Sequence, residues 1–170
     1  MMAARAGRSG DVPLTAWVGA AAGCYHRNVK IVTVLIVLLC LAGVVVSAMA
    51  LGLHYDTHPA PCSINEVWDC GLVNHSPYSV FRGVPVALIG IVGYALMAAL
   101  AGRFPRIFAL VALGALGFAL RLSYIEWKVL ETWCIYCVTS QGIILTIFLL
   151  SLLAVWLDRR RGRAASPARA

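Results

Sequence analysis

The stretch IVTVLIVLLCLAGVVVSAMALGL, Ile31 to Leu53, runs 23 residues without a charge. As a helix it is about 34 Å long, enough to cross a hydrocarbon core of about 30 Å. Three more apolar runs follow. Val84 to Ala101 is uncharged. Ile107 to Ile125 is broken only by Arg121, and Thr132 to Leu157 is again uncharged. Backbone polar groups cannot stay unpaired in lipid, so each run is expected to be a helix. The expectation is an all-α membrane protein, a four-transmembrane-helix bundle with an outer loop as its cap. Composition agrees: 61% of the 170 residues are hydrophobic and 12% charged, with a mean hydropathy of +0.85. A soluble domain carries about twice that share of charge.

The net charge of +7 marks topology and not nucleic-acid binding, because the basic residues lie between and beyond the apolar runs and form no amphipathic stripe. Arg5, Arg8, Arg27 and Lys30 precede the first run, Arg103 and Arg106 link the second to the third, and Arg159 to Arg161, Arg163 and Arg169 follow the fourth. The long connection 54–83 holds Arg82 alone against Asp56, Glu66 and Asp69. The positive-inside rule then places both termini in the cytoplasm. The expected organisation is a cytoplasmic segment 1–30, a membrane domain 31–157 with an outer loop 54–83, and a solvated basic tail 158–170. Val12 to Cys24 is too short to cross and reads as a surface or disordered segment. Ala48-Met49-Ala50 resembles a signal cleavage site, but the apolar run is longer than a signal core and follows 30 residues of chain. Ala95 and Ala99, and Gly114 and Gly117, are candidates for close helix packing.

Six cysteines fall at 24, 40, 62, 70, 134 and 137. The topology puts Cys24 in the cytoplasm and Cys40 within the first helix, as a free thiol and a small buried apolar residue respectively. It puts the other four on the outer side, where disulfides persist. Cys134-Ile-Tyr-Cys137 opens the last helix, so one helical turn brings its sulfurs within bonding reach and the helix N-terminus favours a thiolate. Thr132 is the candidate cap. Three readings of the four outer cysteines stand: a redox-active pair served by a second pair, two structural disulfides in a membrane scaffold, or a four-thiolate zinc site. The step of eight residues from Cys62 to Cys70 does not suit zinc. Arg121 and Glu126, near the outer end of the third helix, pair with each other, snorkel, or serve function.

The order Cys62, Cys70, Ser76, Gly83-Val84-Pro85, Gly90, Tyr94 and Cys134-Ile-Tyr-Cys137, with Glu126 ahead of the last pair, resembles the vitamin K epoxide reductase family over about residues 31–157. The resemblance implies that Cys134 and Cys137 form the active-site disulfide beside a quinone (ubiquinone or menaquinone), with Cys137 nearer its ring. It implies that Cys62 and Cys70 are the shuttle pair, Cys70 attacking Cys134 and Cys62 exchanging with a secreted thioredoxin-like partner. Ser76 would close the pocket over the quinone. Bacterial members imply an inner-membrane enzyme that supports disulfide bond formation. Many of them carry a fused thioredoxin-like domain, so a separate partner is expected here. Animal members that reduce the epoxide have Asn where Val86 falls and Tyr where Gln141 falls. Val86 and Gln141 therefore line the expected quinone site, with Gln141 alone able to donate a hydrogen bond. Quinone reduction is the expected reaction, and turnover of vitamin K quinone or its epoxide the alternative.

Overall fold

The computed structural model describes residues 14–56 and 61–165, with side chains described from 29 to 56 and from 61 to 160. Helix α1 spans Leu14–Tyr55. The short helix α2 covers Cys70–His75, and a single 3-10 turn follows at Pro77–Ser79. Strands β1 (Val80–Phe81) and β2 (Val84–Pro85) form an antiparallel hairpin. Then come α3 (Val86–Leu100), α4 (Pro105–Ile125), a π-turn (Glu126–Leu130) and α5 (Ile135–Ala165). The fold is mostly helical. Among the described residues three segments are long and apolar enough to cross a membrane, Val29–Tyr55, Pro105–Leu130 and Ile135–Arg160, and α3 is a shorter apolar helix.

The element boundaries differ from the sequence expectations for local reasons. The second helix starts at Val86 because Val84 and Pro85 pair back onto Val80 and Phe81. The two-residue turn between them holds Arg82 at φ 52° and Gly83 at φ 84°, the doubly left-handed geometry of a type I′ hairpin, which suits glycine at its second position. The third helix starts earlier, with Pro105 at its first turn, and ends in the π-turn that Glu131 closes at φ 54°. The first helix extends back to Leu14, so the backbone of 14–24 is helical and not coil. The last helix runs on through the basic residues to Ala165. Expectations for residues 1–13 and 166–170, and for the Cys24 side chain, fall outside the described residues.

Helix α1 packs along both α3 and α5, α4 packs along α5, and α3 meets α4 only briefly. The core joins Ile36 and Cys40 of α1, Tyr94 and Met97 of α3, Phe108 and Ala112 of α4, and Ile144 and Ile147 of α5. Cys40 is fully buried there. The close approach of α1 and α3 falls at Gly43, where a Cβ would lie 2.6 Å from the Tyr94 ring, and at Gly90, where it would lie 2.7 Å from Ser47 Oγ. The expected small-residue seams are elsewhere in space: Ala95, Ala99, Gly114 and Gly117 are exposed, and the two glycines have open space beside them. Large apolar side chains also face outward along the helices, among them Val34, Leu38, Val45, Val92, Leu110 and Leu149. A belt of that kind has lipid as its natural solvent.

Candidate functional site

The site lies at the end of the bundle where α1 and α4 finish and α3 and α5 begin. The chain from Ser63 to Asp69 is docked there on the segment leading into α5. Trp133 N–H donates to the Val67 carbonyl at 2.8 Å, and Asp69 N–H donates to the Trp133 carbonyl at 3.1 Å, so Trp68 and Trp133 run side by side as a parallel bridge. Cys70 and Cys134 follow this bridge on the two segments and pack in one buried cluster. Asp69 also caps α2: its carboxylate accepts the Leu72 N–H at 3.0 Å. A hydrogen bond from Ser63, with the Leu72 amide second, holds the Asp69 carboxyl below the usual carboxylate range.

Cys62, Cys70, Cys134 and Cys137 meet in one buried cluster. Cys62 and Cys70 are joined in a disulfide with their Cα atoms 5.6 Å apart. Both pack with Cys134, Leu53 and Val73, and Cys137 lies against the same cluster. Cys70 and Cys134 are fully buried, and Cys134 and Cys137 are thiols. Cys134 is the residue before α5, and its carbonyl accepts the first helical bond from Val138 N–H at 2.9 Å. The Cys137 thiol donates to the Cys134 sulfur, and the backbone amides of Cys137 and Tyr136 point at it as well. Together they hold the Cys134 thiol below its ordinary value against the opposing effects of burial and the Glu126 charge.

Thr132 does not cap α5. Its hydroxyl donates to the carbonyls of Leu130 and Glu66, at 3.1 and 3.4 Å. The group that serves this helix start is Glu126, only 3% exposed, whose Oε2 accepts the Cys134 N–H at 3.3 Å. Its carboxylate also faces the Cys137 thiol. Glu126 is thus turned into the site, while Arg121 is exposed. Wide π-turns of the kind Glu126 opens occur often at functional sites.

Beyond Cys137 lies a cavity of about 340 Å³ lined mainly by apolar residues of α1, α3, α4 and α5. Ser76, Val86, Cys137 and Gln141, the four residues expected around a quinone, all lie on its wall, together with Glu126 and Asn74. Cys134 is not on that wall; it sits between the cavity and the loop disulfide. Ser76 donates its hydroxyl to the Val73 carbonyl at 2.8 Å, and Tyr94, at the far wall, donates to the Ser140 carbonyl at 2.9 Å. The cavity volume is that of a small-molecule site, with apolar walls and a few hydrogen-bonding groups. The Gln141 amide is among the hydrogen-bonding groups on that wall, whereas the Ser76 hydroxyl proton is already given to Val73.

Sequence reasoning missed Asn74. It is 6% exposed, and its Nδ2 donates to the Cys70 carbonyl at 2.8 Å and to Cys134 Sγ at 3.6 Å. The signal available was its place four residues after Cys70, one turn along a helix of six.

A disulfide on a surface segment, a second cysteine pair beneath it and an apolar cavity beneath that define a membrane protein built for thiol–disulfide exchange. The chain belongs to the vitamin K epoxide reductase family, whose family model matches residues 34–152. Membership implies oxidoreductase activity on thiols and disulfides within a membrane.

Proposed function

We propose that the chain passes electrons from a secreted thioredoxin-like protein, through Cys62/Cys70 and then Cys134/Cys137, to a membrane quinone, and so sustains disulfide bond formation. The observation that carries this reading is the stacking of functions across a few residues: the loop disulfide packs on Cys134, and Cys137, one turn on, lines the cavity. A reduced partner attacks the loop disulfide and leaves Cys62 and Cys70 as thiols. Cys70 then attacks Cys134, and Cys137 leaves with the electron pair. A quinone, when bound, supplies a two-electron, two-proton acceptor. Ser76, Gln141 and the apolar face of Val86 would hold it beside Cys137, which lies on the same cavity wall. Val86 brings no hydrogen bond, which favours quinone over epoxide as substrate.

The same reading treats α3 as a fourth crossing. Its 15 residues span about 22 Å, and the hairpin and α2 cap the outer end with Tyr78 and Phe81, both about half exposed, at the interface. Arg103, Arg106 and Arg159 sit at the opposite end of the bundle from the cysteines, which supports cytoplasmic termini and an outward-facing redox site, as in a bacterial inner membrane.

The test uses the full chain in detergent micelles, with quinone consumption followed by its ultraviolet absorbance. Dithiothreitol and a reduced thioredoxin-like protein serve as alternative donors. Cys137→Ser is expected to abolish consumption with either donor. Cys62→Ser is expected to keep most of the dithiothreitol-driven rate and lose the protein-driven one. Equal loss in both assays for Cys62→Ser would count against the shuttle role, and turnover of vitamin K epoxide comparable to that of quinone would reassign the substrate.

A further inference from the structure

We infer that Asn74 is a catalytic residue of the internal disulfide transfer, the hydrogen-bond donor that receives the Cys134 thiolate as the loop disulfide closes. This rests on the relay proposed above and assigns a group to the step in it that otherwise has none.

The step balances within the chain. The Cys70 thiolate attacks Cys134 Sγ, the Cys134–Cys137 bond breaks, and its electron pair leaves on Cys137. The Cys62 thiolate then attacks Cys70 Sγ, the Cys70–Cys134 bond breaks, and its electron pair leaves on Cys134. The loop pair ends oxidised and the inner pair reduced, and the two protons of the loop thiols end on the inner thiols. In the second half, Cys134 is the leaving group, and the rate rises as its thiolate is better stabilised.

The structure holds the product of that half-step. Cys62 and Cys70 are joined, Cys134 is a buried thiol beside them, and Asn74 Nδ2 is aimed at its sulfur from 3.6 Å. The Asn74 amide has two N–H donors. One is committed to the Cys70 carbonyl at 2.8 Å, which fixes which end of the side chain is nitrogen; the other serves Cys134. The same amide therefore grips both partners of the bond that breaks. Its own backbone is held in turn, because His54 Nδ1 donates to the Asn74 carbonyl at 2.7 Å. In a buried site, where water does not reach Cys134, a fixed N–H dipole stabilises a developing thiolate more than it would in solvent. The Cys137 thiol and the helix-start amides approach the sulfur from the α5 side, and Asn74 approaches from the loop side. It alone of these donors lies on the helix that carries Cys70.

The experiment follows the disulfide inside the quinone-free full chain. Protein carrying both disulfides receives one equivalent of a water-soluble phosphine, is quenched with acid at intervals, alkylated and mapped by mass spectrometry. The unsubstituted chain should move the reduced state from Cys62/Cys70 to Cys134/Cys137. Asn74→Leu should slow that transfer by roughly tenfold, the scale of one hydrogen bond to a charged group, move its pH profile upward, and accumulate the Cys70–Cys134 mixed disulfide. Asn74→Asp, nearly isosteric, should accumulate the same species and be slower still, because it sets a negative charge where the thiolate forms. Should Asn74→Leu fail to fold, Asn74→Asp decides the question alone. Transfer at the parental rate without mixed disulfide in a folded variant overturns the role of Asn74. Failure of the unsubstituted chain to move electrons inward overturns instead the relay on which it rests.

Discussion

At the scale of single residues, the two inner cysteines are unequal because their surroundings are unequal. Cys134 is fully buried beneath the loop and receives hydrogen bonds at its sulfur; Cys137 reaches the cavity. The lowered Cys134 value has a definite sign. The thiolate, and exchange through it, persists to more acidic pH than an ordinary thiol allows and is lost as pH falls through the lowered value. Removing the largest support, in Cys137→Ala, should move the pH at which the Cys134 thiolate appears upward, followed by thiolate ultraviolet absorbance in a chain with Cys24 and Cys40 replaced and the loop disulfide intact. Glu126 makes a second prediction. Glu126→Ala leaves the buried Cys134 N–H without its acceptor and should cost about 1–3 kcal/mol of stability, measured by thermal unfolding in micelles. An unchanged midpoint would mean that the carboxylate does not hold this helix start. The cysteine spacing was legible in the sequence, whereas Ser76 was singled out only by the family resemblance. The partners of Glu126 and Asn74 were not, because one depends on a π-turn and the other on a strand-like docking of the loop, and neither leaves a periodic trace.

At the scale of elements, hydropathy located the helices well, and their ends poorly. Apolar runs report where lipid-facing helix is possible; they do not report that Val84–Pro85 pairs as a strand, or that α5 continues through charged residues. Small residues misled for a related reason. Regular spacing singled out Ala95/Ala99 and Gly114/Gly117, whereas the tight contact is set by what faces a residue, and Tyr94 faces Gly43. Gly43→Val should therefore displace the Tyr94 ring, which is 5% exposed and also lines the cavity. Overpacking of this kind costs about 1–3 kcal/mol, and the substitution should weaken quinone binding as well as stability, whereas Gly114→Val, in open space, should do neither. Helix α2 offers a separate test. Asp69→Ala removes its N-terminal cap, worth about 1 kcal/mol, and should speed amide exchange over Cys70–His75 while leaving α3 to α5 unchanged. Because the Asp69 carboxyl sits below its usual range, the cap is present above the unfolded carboxylate value and is lost as pH falls through the lowered one.

At the scale of the whole molecule, one end of the bundle gathers Cys62, Cys70, Cys134 and Cys137. The ends of α1 and α4, the starts of α3 and α5, and the loop converge there, while the Arg103/Arg106 turn and the basic end of α5 lie opposite. That separation follows from four antiparallel helices joined by one long and two short connections, and hydropathy alone made the mostly helical fold with membrane-spanning segments legible. It also makes the proposed topology testable: a membrane-impermeant thiol reagent should reach a cysteine introduced at Ser63 only from the outer side, and one introduced at Arg103 only after the membrane is opened. The central claim, electrons running from loop to inner pair to quinone, is tested most directly by the order in which disulfides form when the fully reduced chain meets quinone. Acid quenching and mass mapping should find Cys134–Cys137 first and Cys62–Cys70 afterwards, with no loop disulfide in Cys137→Ser. Formation of Cys62–Cys70 at an undiminished rate in Cys137→Ser would contradict the account.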